Sequence, residues 1–288
     1  MTRYFSASMF LFFIALGGLF HVKHFDYQAF SRNFWGQTEF AVFHQGRKGV
    51  IIGENGWLFT AEEFSCPQNL DKNFDYIDSV KNGFEKRRIK LIIVLIPEKA
   101  RVLKRDLPAC RKNIYSEALS RYKNISTDLL PLMNENDFLK TDTHWTPNGA
   151  RVAAGEVEKI AHGIKLPHAK FVTATGPDAA RAGDLTRYVP GVAMTDRFKT
   201  FTTEQQNANL LGNAPVPHVV LVGTSYSAMR QWNFDGFLKQ ALQADVLNMS
   251  DEGQGPFSVM KKYLDSAAFK AAPPRLVVWE IPERYLPQ

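Results

Sequence analysis

Two cysteines, Cys66 and Cys110, are all that the 288 residues contain, and they are not spaced as a C-x-x-C pair, which excludes a cysteine-based zinc site. No segment repeats at a fixed period, and no tract is of low complexity. Charge of one sign is not gathered anywhere. The formal balance is +6, from 35 Lys and Arg against 29 Asp and Glu, yet the charges are scattered along the chain. The densest basic cluster, "EKRRIK" at 85–90, immediately precedes an apolar run and reads as the solvated end of a helix. No nucleic-acid-binding module is recognisable. A basic balance suits an anionic partner, an acidic polysaccharide or a lipid headgroup surface, but dispersed charge does not select one.

Apolar material is not scarce. At 45% hydrophobic and 12% aromatic, the chain can bury the core of one large domain or two small ones. Its first 24 residues stand apart. The run Met9 to Phe20 is shorter than the roughly 20 residues of a spanning helix, while Tyr4 to Val22 is mostly apolar. Residues 1–24 therefore read as a signal peptide or an uncleaved signal anchor. The lack of a small-x-small cleavage site favours the anchor. Either way the body, residues 25–288, leaves the cytoplasm. An oxidising compartment allows Cys66 and Cys110 to close a loop of about 45 residues; two buried free thiols are the alternative.

Beyond the leader, "VIIGENGWLFT" at 50–60 predicts a β-hairpin turning at Asn55-Gly56, residues that tolerate positive φ. A helical pattern over Asp71–Arg88 leads into Leu91–Ile96, an unbroken apolar run of the kind found in strands buried on both faces. Further such runs are "HVVLVG" at 218–223, "DVLNM" at 245–249 and "RLVVWEI" at 275–281. Helical patterns at Ala228–Leu242 and Phe257–Phe269 separate them. Alternating strands and helices predict a layered α/β domain with a parallel sheet. The stretch of about 166–217 shows little periodicity and much Pro and Gly, and is expected to be an irregular excursion covering one end of the sheet.

Reactive groups in such a fold collect at the carboxyl ends of strands. Gly223-Thr224-Ser225 falls at one, with a helix beginning beside it. Ser225 there is either an exposed nucleophile near free helix N–H groups or, with Thr224, part of an N-cap. In "DTHWTPNGA" at 142–150, Thr146-Pro147 marks a helix start. Asp142 and His144 precede it in extended chain, where residues two apart face the same side. The acid can fix the imidazole tautomer while the other ring nitrogen meets a nucleophile. Taken alone, the pair could equally be polar loop residues, or two metal ligands with no third placed nearby.

"GENGWLF", "DTHWTPNGA", "GTSYS" and "VVWEIPERYL", in that order from about Gly46 to the end, resemble the AlgJ/AlgX group of SGNH-hydrolase-like proteins, which act in O-acetylation of exopolysaccharides. The resemblance is closer to the AlgJ type, without the carbohydrate-binding domain of AlgX. It implies a three-layer α/β/α fold with circularly permuted motif order. It also implies a triad of Asp142 and His144, from D-x-H-W, with Ser225, from G-x-S-[YF]-S, leaving Ser227 as a helix residue. The activity implied is periplasmic acetyl transfer through an acetyl-serine, with no cofactor and no metal; the alternatives are a secreted carbohydrate acetylesterase with the same triad and a non-catalytic scaffold of a polysaccharide acetylation and export complex. The partners implied are a polysaccharide acceptor such as alginate or cellulose, an acetyl donor, the inner membrane, a multi-pass membrane acyltransferase and polymer-export proteins. Substrate or oxyanion contacts are expected from Gly253, Arg284 and Tyr285, and from Arg187 in "AGDLTRY".

Overall fold

The computed structural model describes residues 27–38, 46, 49–66, 70–206 and 216–287; the leader read at 1–24 lies outside them. Among the described residues no helix is long and apolar enough to cross a membrane. Helix α1 (Tyr27–Thr38) precedes a small hairpin of β1 (Ile51–Ile52) and β2 (Leu58–Phe59). The pairing is Ile51 with Phe59 and Ile52 with Leu58. As the sequence requires, Asn55 and Gly56 turn it at φ 56° and 80°.

Helix α2 (Leu70–Lys86) then enters β3 (Lys90–Ile96), followed by α3 (Ile114–Arg121) and α4 (Pro147–Ala161). The chain leaves the sheet for β4 (Phe171–Arg181) and β5 (Asp196–Gln205) and returns in β6 (Val219–Val222). After it come α5 (Ser225–Ala228), α6 (Phe234–Leu242), β7 (Val246–Asn248), α7 (Pro256–Asp265), α8 (Ala267–Ala271) and β8 (Leu276–Pro282). The main sheet runs β3-β8-β6-β7 and is parallel throughout.

Alternation along the strands sorts the core into two layers. Ile92, Val94, Ile96, Leu221 and Val278 face α4 and α6, meeting Ala153, Val157, Phe234 and Leu238. Their neighbours Leu91, Ile93, Leu95, Val222 and Trp279 face α2, α3 and α7, meeting Phe74, Phe84, Tyr115 and Met260. Burying each such aliphatic or aromatic side chain contributes about 1.5–3 kcal/mol. Helices on both faces of the sheet make the three-layer α/β/α architecture expected, and the connection from β7 back across β6 to β8 reverses the strand order beside β6.

Three sequence expectations change in detail. Among its described residues the excursion expected at 166–217 is not irregular: β4 and β5 form a long antiparallel ribbon from Phe171↔Gln205 to Arg181↔Asp196. Its covered side meets α6, where Phe201 lies 5.4 Å from Phe237, and α4, whose Arg151 guanidinium lies 4.3 Å over Phe201; partly buried threonines such as Thr173 and Thr203 interrupt the apolar positions. The helix expected over Ala228–Leu242 is interrupted: Met229 is extended, Arg230–Trp232 form a single tight turn, and Asn233 sits left-handed at φ 53° before α6 starts. The helix over Phe257–Phe269 breaks at extended Ser266, whose hydroxyl accepts from Phe269 N and caps α8.

Cys66 and Cys110 are disulfide-bonded, tying the segment after β2 to the one-turn helix Ala109–Lys112 across a sequence separation of 44. Loop closure of that length restricts the unfolded chain. A Cys66→Ser/Cys110→Ser variant is therefore expected to lose about 2–4 kcal/mol of stability, read as a lower midpoint of thermal unfolding. Equal midpoints for variant and oxidised wild type would refute a stabilising role for the bond.

Candidate active site

Strand β6 ends at Gly223, and the chain turns at once into α5. Thr224 caps that helix, its hydroxyl accepting from Tyr226 N. Gly223 has no substitute: a Cβ there would lie 2.4 Å from Glu280 Oε2 and 2.7 Å from Ser227 Oγ. Ser225 is the first helical residue. On the facing side, Thr146 caps α4 through Gly149 N and Pro147 starts it; the preceding residues 140–144 are a run of bends under the sheet end rather than the extended chain expected.

These two turns bring three side chains into line. Ser225 Oγ is 2.7 Å from His144 Nε2, and His144 Nδ1 is 2.5 Å from Asp142 Oδ1. The same Oδ1 accepts from His144 N at 3.1 Å, and Oδ2 from Asp184 N at 3.1 Å. Asp142 is 0% and His144 5% exposed. Burial alone would raise the Asp142 carboxyl, but the His144 hydrogen bond and charge, with the Asp184 and His144 amides, outweigh it and hold it below the usual carboxylate range. An ionised Asp142 keeps the proton on Nδ1 and leaves Nε2 free to accept from serine. Trp232 stacks on the imidazole at 5.7 Å and 26°.

Surrounding groups hold each turn. Buried Lys99 donates to Asp142 O at 2.8 Å and Leu139 O at 3.2 Å; burial pulls its pKa down to about 8, against nearby carboxylates led by Glu63. Asp196 accepts from Lys140 N, Thr141 N and Thr141 Oγ1. Asp184 accepts from Thr143 N and Oγ1. Under the serine, Glu280 accepts from Thr224 N at 2.6 Å and Ser227 Oγ at 3.0 Å.

Asp142, His144 and Asp184 offer ligand atoms within 4.8 Å of one another, Asp184 being the third ligand that local sequence did not supply. Both Asp184 oxygens are occupied by Thr143, however, and Nδ1 in this tautomer has no lone pair to give a cation.

The other sequence candidates scatter. Arg284 is buried, donating to Tyr226 Oη at 2.6 Å and Thr143 O at 3.2 Å, so it braces the site from below. Tyr285 lies against Gly255, whose added Cβ would meet its ring at 3.4 Å. Gly253 is exposed at φ 73°, in a loop that Asp251 N joins to Gly223 O at 3.2 Å. Arg187 is exposed, its guanidinium 4.8 Å over Tyr188. "AGDLTRY" does reach the site, but through Asp184 and Gly183, whose N donates to Thr141 Oγ1 at 3.0 Å. Sequence reasoning missed Lys99, Glu280, Asp184 and Arg181. A charged residue just past or inside an apolar strand, as with Lys99 and Glu280, was the available signal.

A family model described as "SGNH hydrolase-like domain, acetyltransferase AlgX" matches residues 50–283. A relative from Pseudomonas aeruginosa named probable alginate O-acetylase AlgJ is 37% identical over 302 residues, covering 92% of this chain and 77% of that protein. The protein of the same name from Azotobacter vinelandii is 36% identical, with 92% and 78% covered. The solved O-acetyltransferase domain of Pseudomonas putida AlgJ superposes with a TM-score of 0.76 at 35% identity, over 84% of this chain and 93% of that one. Pseudomonas aeruginosa AlgX shares the fold at a TM-score of 0.68 and 24% identity, over 83% and 63%.

Burial lifts the Glu280 carboxyl to about 7, against the opposing Thr224 and Ser227 hydrogen bonds and the Arg284 charge. An unfolded glutamate ionises near 4.3. Between those values the unfolded chain releases the proton and the folded one keeps it, so stability falls as pH rises through the window. Relative to Glu280→Gln, wild type is expected to lose on the order of 3 kcal/mol between about pH 4.5 and 7. Denaturant unfolding of both proteins across that range checks it; a pH-independent difference would contradict the assignment.

Proposed function

The chain belongs to the SGNH hydrolase-like acetyltransferase family of AlgX and AlgJ, and from that premise we propose that it O-acetylates alginate in the periplasm through an acetyl-serine on Ser225. That it is an O-acetyltransferase follows from the family. The observation that carries the proposed chemistry is the unbroken hydrogen-bonded line from Ser225 Oγ through His144 to Asp142.

In the first half-reaction His144 Nε2 takes the Ser225 proton as Oγ attacks the carbonyl carbon of an acetyl donor. The oxyanion that forms is stabilised by the Ser225 backbone N–H at the start of α5. Collapse expels the donor's leaving group, which takes the proton from His144, and leaves Ser225 acetylated. In the second, His144 accepts the proton of a sugar hydroxyl while its oxygen attacks the acetyl carbon; collapse releases the O-acetyl sugar and returns the proton to Ser225. Asp142 stays ionised throughout, holding the tautomer and supporting the imidazolium. Water in place of the sugar would give hydrolysis, so exclusion of water by the polymer decides between transfer and esterase activity.

Location and company complete the reading. The apolar segment at residues 1–24 would tether the domain to the inner membrane, where a multi-pass membrane acyltransferase could supply acetyl groups and export proteins could present the polymer. The disulfide accords with an oxidising compartment.

Ser225→Ala and His144→Ala should each lower acetyl release from an activated ester by about a thousandfold or more, and Asp142→Asn by up to about ten-thousandfold, through loss of the tautomer. Intact-mass measurement after mixing with the ester should find one acetyl group on wild type, mapped to Ser225, and its discharge onto mannuronate oligomers. Undiminished turnover by Ser225→Ala would sink the nucleophile assignment.

A further inference from the structure

Arg181 closes β4 at the mouth of the site. Its backbone position is set by register, because it pairs with Asp196, and the Asp196 carboxylate in turn holds Lys140 N and Thr141 N of the loop that carries Asp142. The end of the ribbon and the acid–base loop are thus one hydrogen-bonded unit. From there the Arg181 side chain extends over Trp232, its guanidinium carbon 5.6 Å from the ring, and approaches Asp142 Oδ2 to 3.8 Å. Trp232 is the same indole that stacks on His144, so one buried surface orients both the base and this cation.

Neither contact of Arg181 is a hydrogen bond. The 3.8 Å approach is too long for one, and the ring face offers only cation–π attraction. Asp142 has no strong site left to give: Oδ1 is taken by His144 and Oδ2 by Asp184 N. Arg284, the other arginine packed against the site, is by contrast committed to Tyr226 Oη and Thr143 O. Among the described residues the Arg181 side chain donates no hydrogen bond. It is also 35% exposed, whereas the Asp142 side chain beside it is fully buried. A guanidinium presents donors in a rigid fork matched to a carboxylate. One held by a ring face and a distant charge, with its donors turned to solvent beside the reacting groups, is set for a carboxylate arriving with the substrate.

We propose that Arg181 binds the carboxylate of a uronate ring in the acceptor chain and so makes acidic pyranoses the preferred acceptors. This rests on the alginate reading above, since alginate is a polymer of uronic acids. It adds a residue that reads the acid group rather than the hydroxyl. Trp232 links the two groups, its ring 5.7 Å from the His144 imidazole and 5.6 Å from the guanidinium carbon, so Arg181 stands beside the base that activates the acceptor hydroxyl.

The test compares two acceptors, mannuronate oligomers and the same oligomers with carboxyls reduced to alcohols, using 4-nitrophenyl acetate as donor. The ratio of kcat/KM for the acidic to the neutral acceptor is read separately for wild type, Arg181→Gln and Arg181→Lys. Any change at the triad common to both acceptors cancels in that ratio. Wild type is expected to favour the acidic oligomers by about tenfold or more, as suits a charge-assisted hydrogen-bonded pair. In Arg181→Gln the ratio should fall towards one, chiefly through KM on the acidic acceptor, and Arg181→Lys should recover part of it. An equal ratio in wild type and Arg181→Gln, or an equal loss on both acceptors, overturns the Arg181 proposal and leaves the transferase reading standing. If wild type hydrolyses the ester but acetylates neither oligomer, the alginate reading itself fails, and the Arg181 proposal with it.

Discussion

The segment from Leu139 to His144 turns sharply while buried against the carboxyl end of the sheet, and backbone polar groups in such a place cannot go unpaired without a cost of about 1–3 kcal/mol each. Their partners come from all over the fold. Lys99, just beyond β3, receives the carbonyls of Leu139 and Asp142; Asp196 at the start of β5 takes the amides of Lys140 and Thr141. Leu58 N of the small hairpin donates to Lys140 O. Tyr226 Oη, from the serine turn, and Arg284, beyond β8, both donate to Thr143 O. The position of His144 is therefore a property of the entire domain, and this is how a loop residue becomes rigid enough to hold a 2.7 Å contact with Ser225.

The same logic explains why so much charge is buried here. Glu280 and Lys99 each sit in the interior with no exposure to speak of, one tying the serine turn to β8 and the other tying the acid–base loop to β3. Around them Glu98 pairs with Arg284 at 3.2 Å and Glu283 with Arg101 at 2.5 Å, while Glu63 accepts from Ala100 N at 2.8 Å. Buried ion pairs add little net stability over apolar packing, but removing one partner strands the other at a cost of several kcal/mol. Displacing either turn would break such pairings. The lattice thus favours one arrangement of nucleophile and base over its neighbours.

Much of this was legible in the residues. Leu91–Ile96 and Leu276–Ile281 announce strands buried on both faces, because such a strand needs apolar side chains at successive positions. Thr146-Pro147 announces a helix start because cap chemistry is local. The ribbon at β4 and β5 was not legible, since a ribbon covered on one face can alternate Thr with exposed residues and leave no apolar stripe. The break after Ala228 was hidden for a similar reason. Helical spacing from Ala228 to Leu242 continues in sequence, and only the burial of Trp232 against His144 makes the tight turn worthwhile.

Taken by itself, the sequence determined the layered α/β class, because strand and helix patterns rest on neighbours a few residues apart, and it offered Asp142 and His144 only as a candidate pair. Only the tertiary structure decided that Ser225 meets His144 across 81 positions of chain, that "AGDLTRY" contributes Asp184 rather than Arg187, and that Arg181 stands beside the triad with its donors free. Those relations depend on which strands pair and in what register, and a single chain of residues carries no local signal for contacts made by folding back on itself.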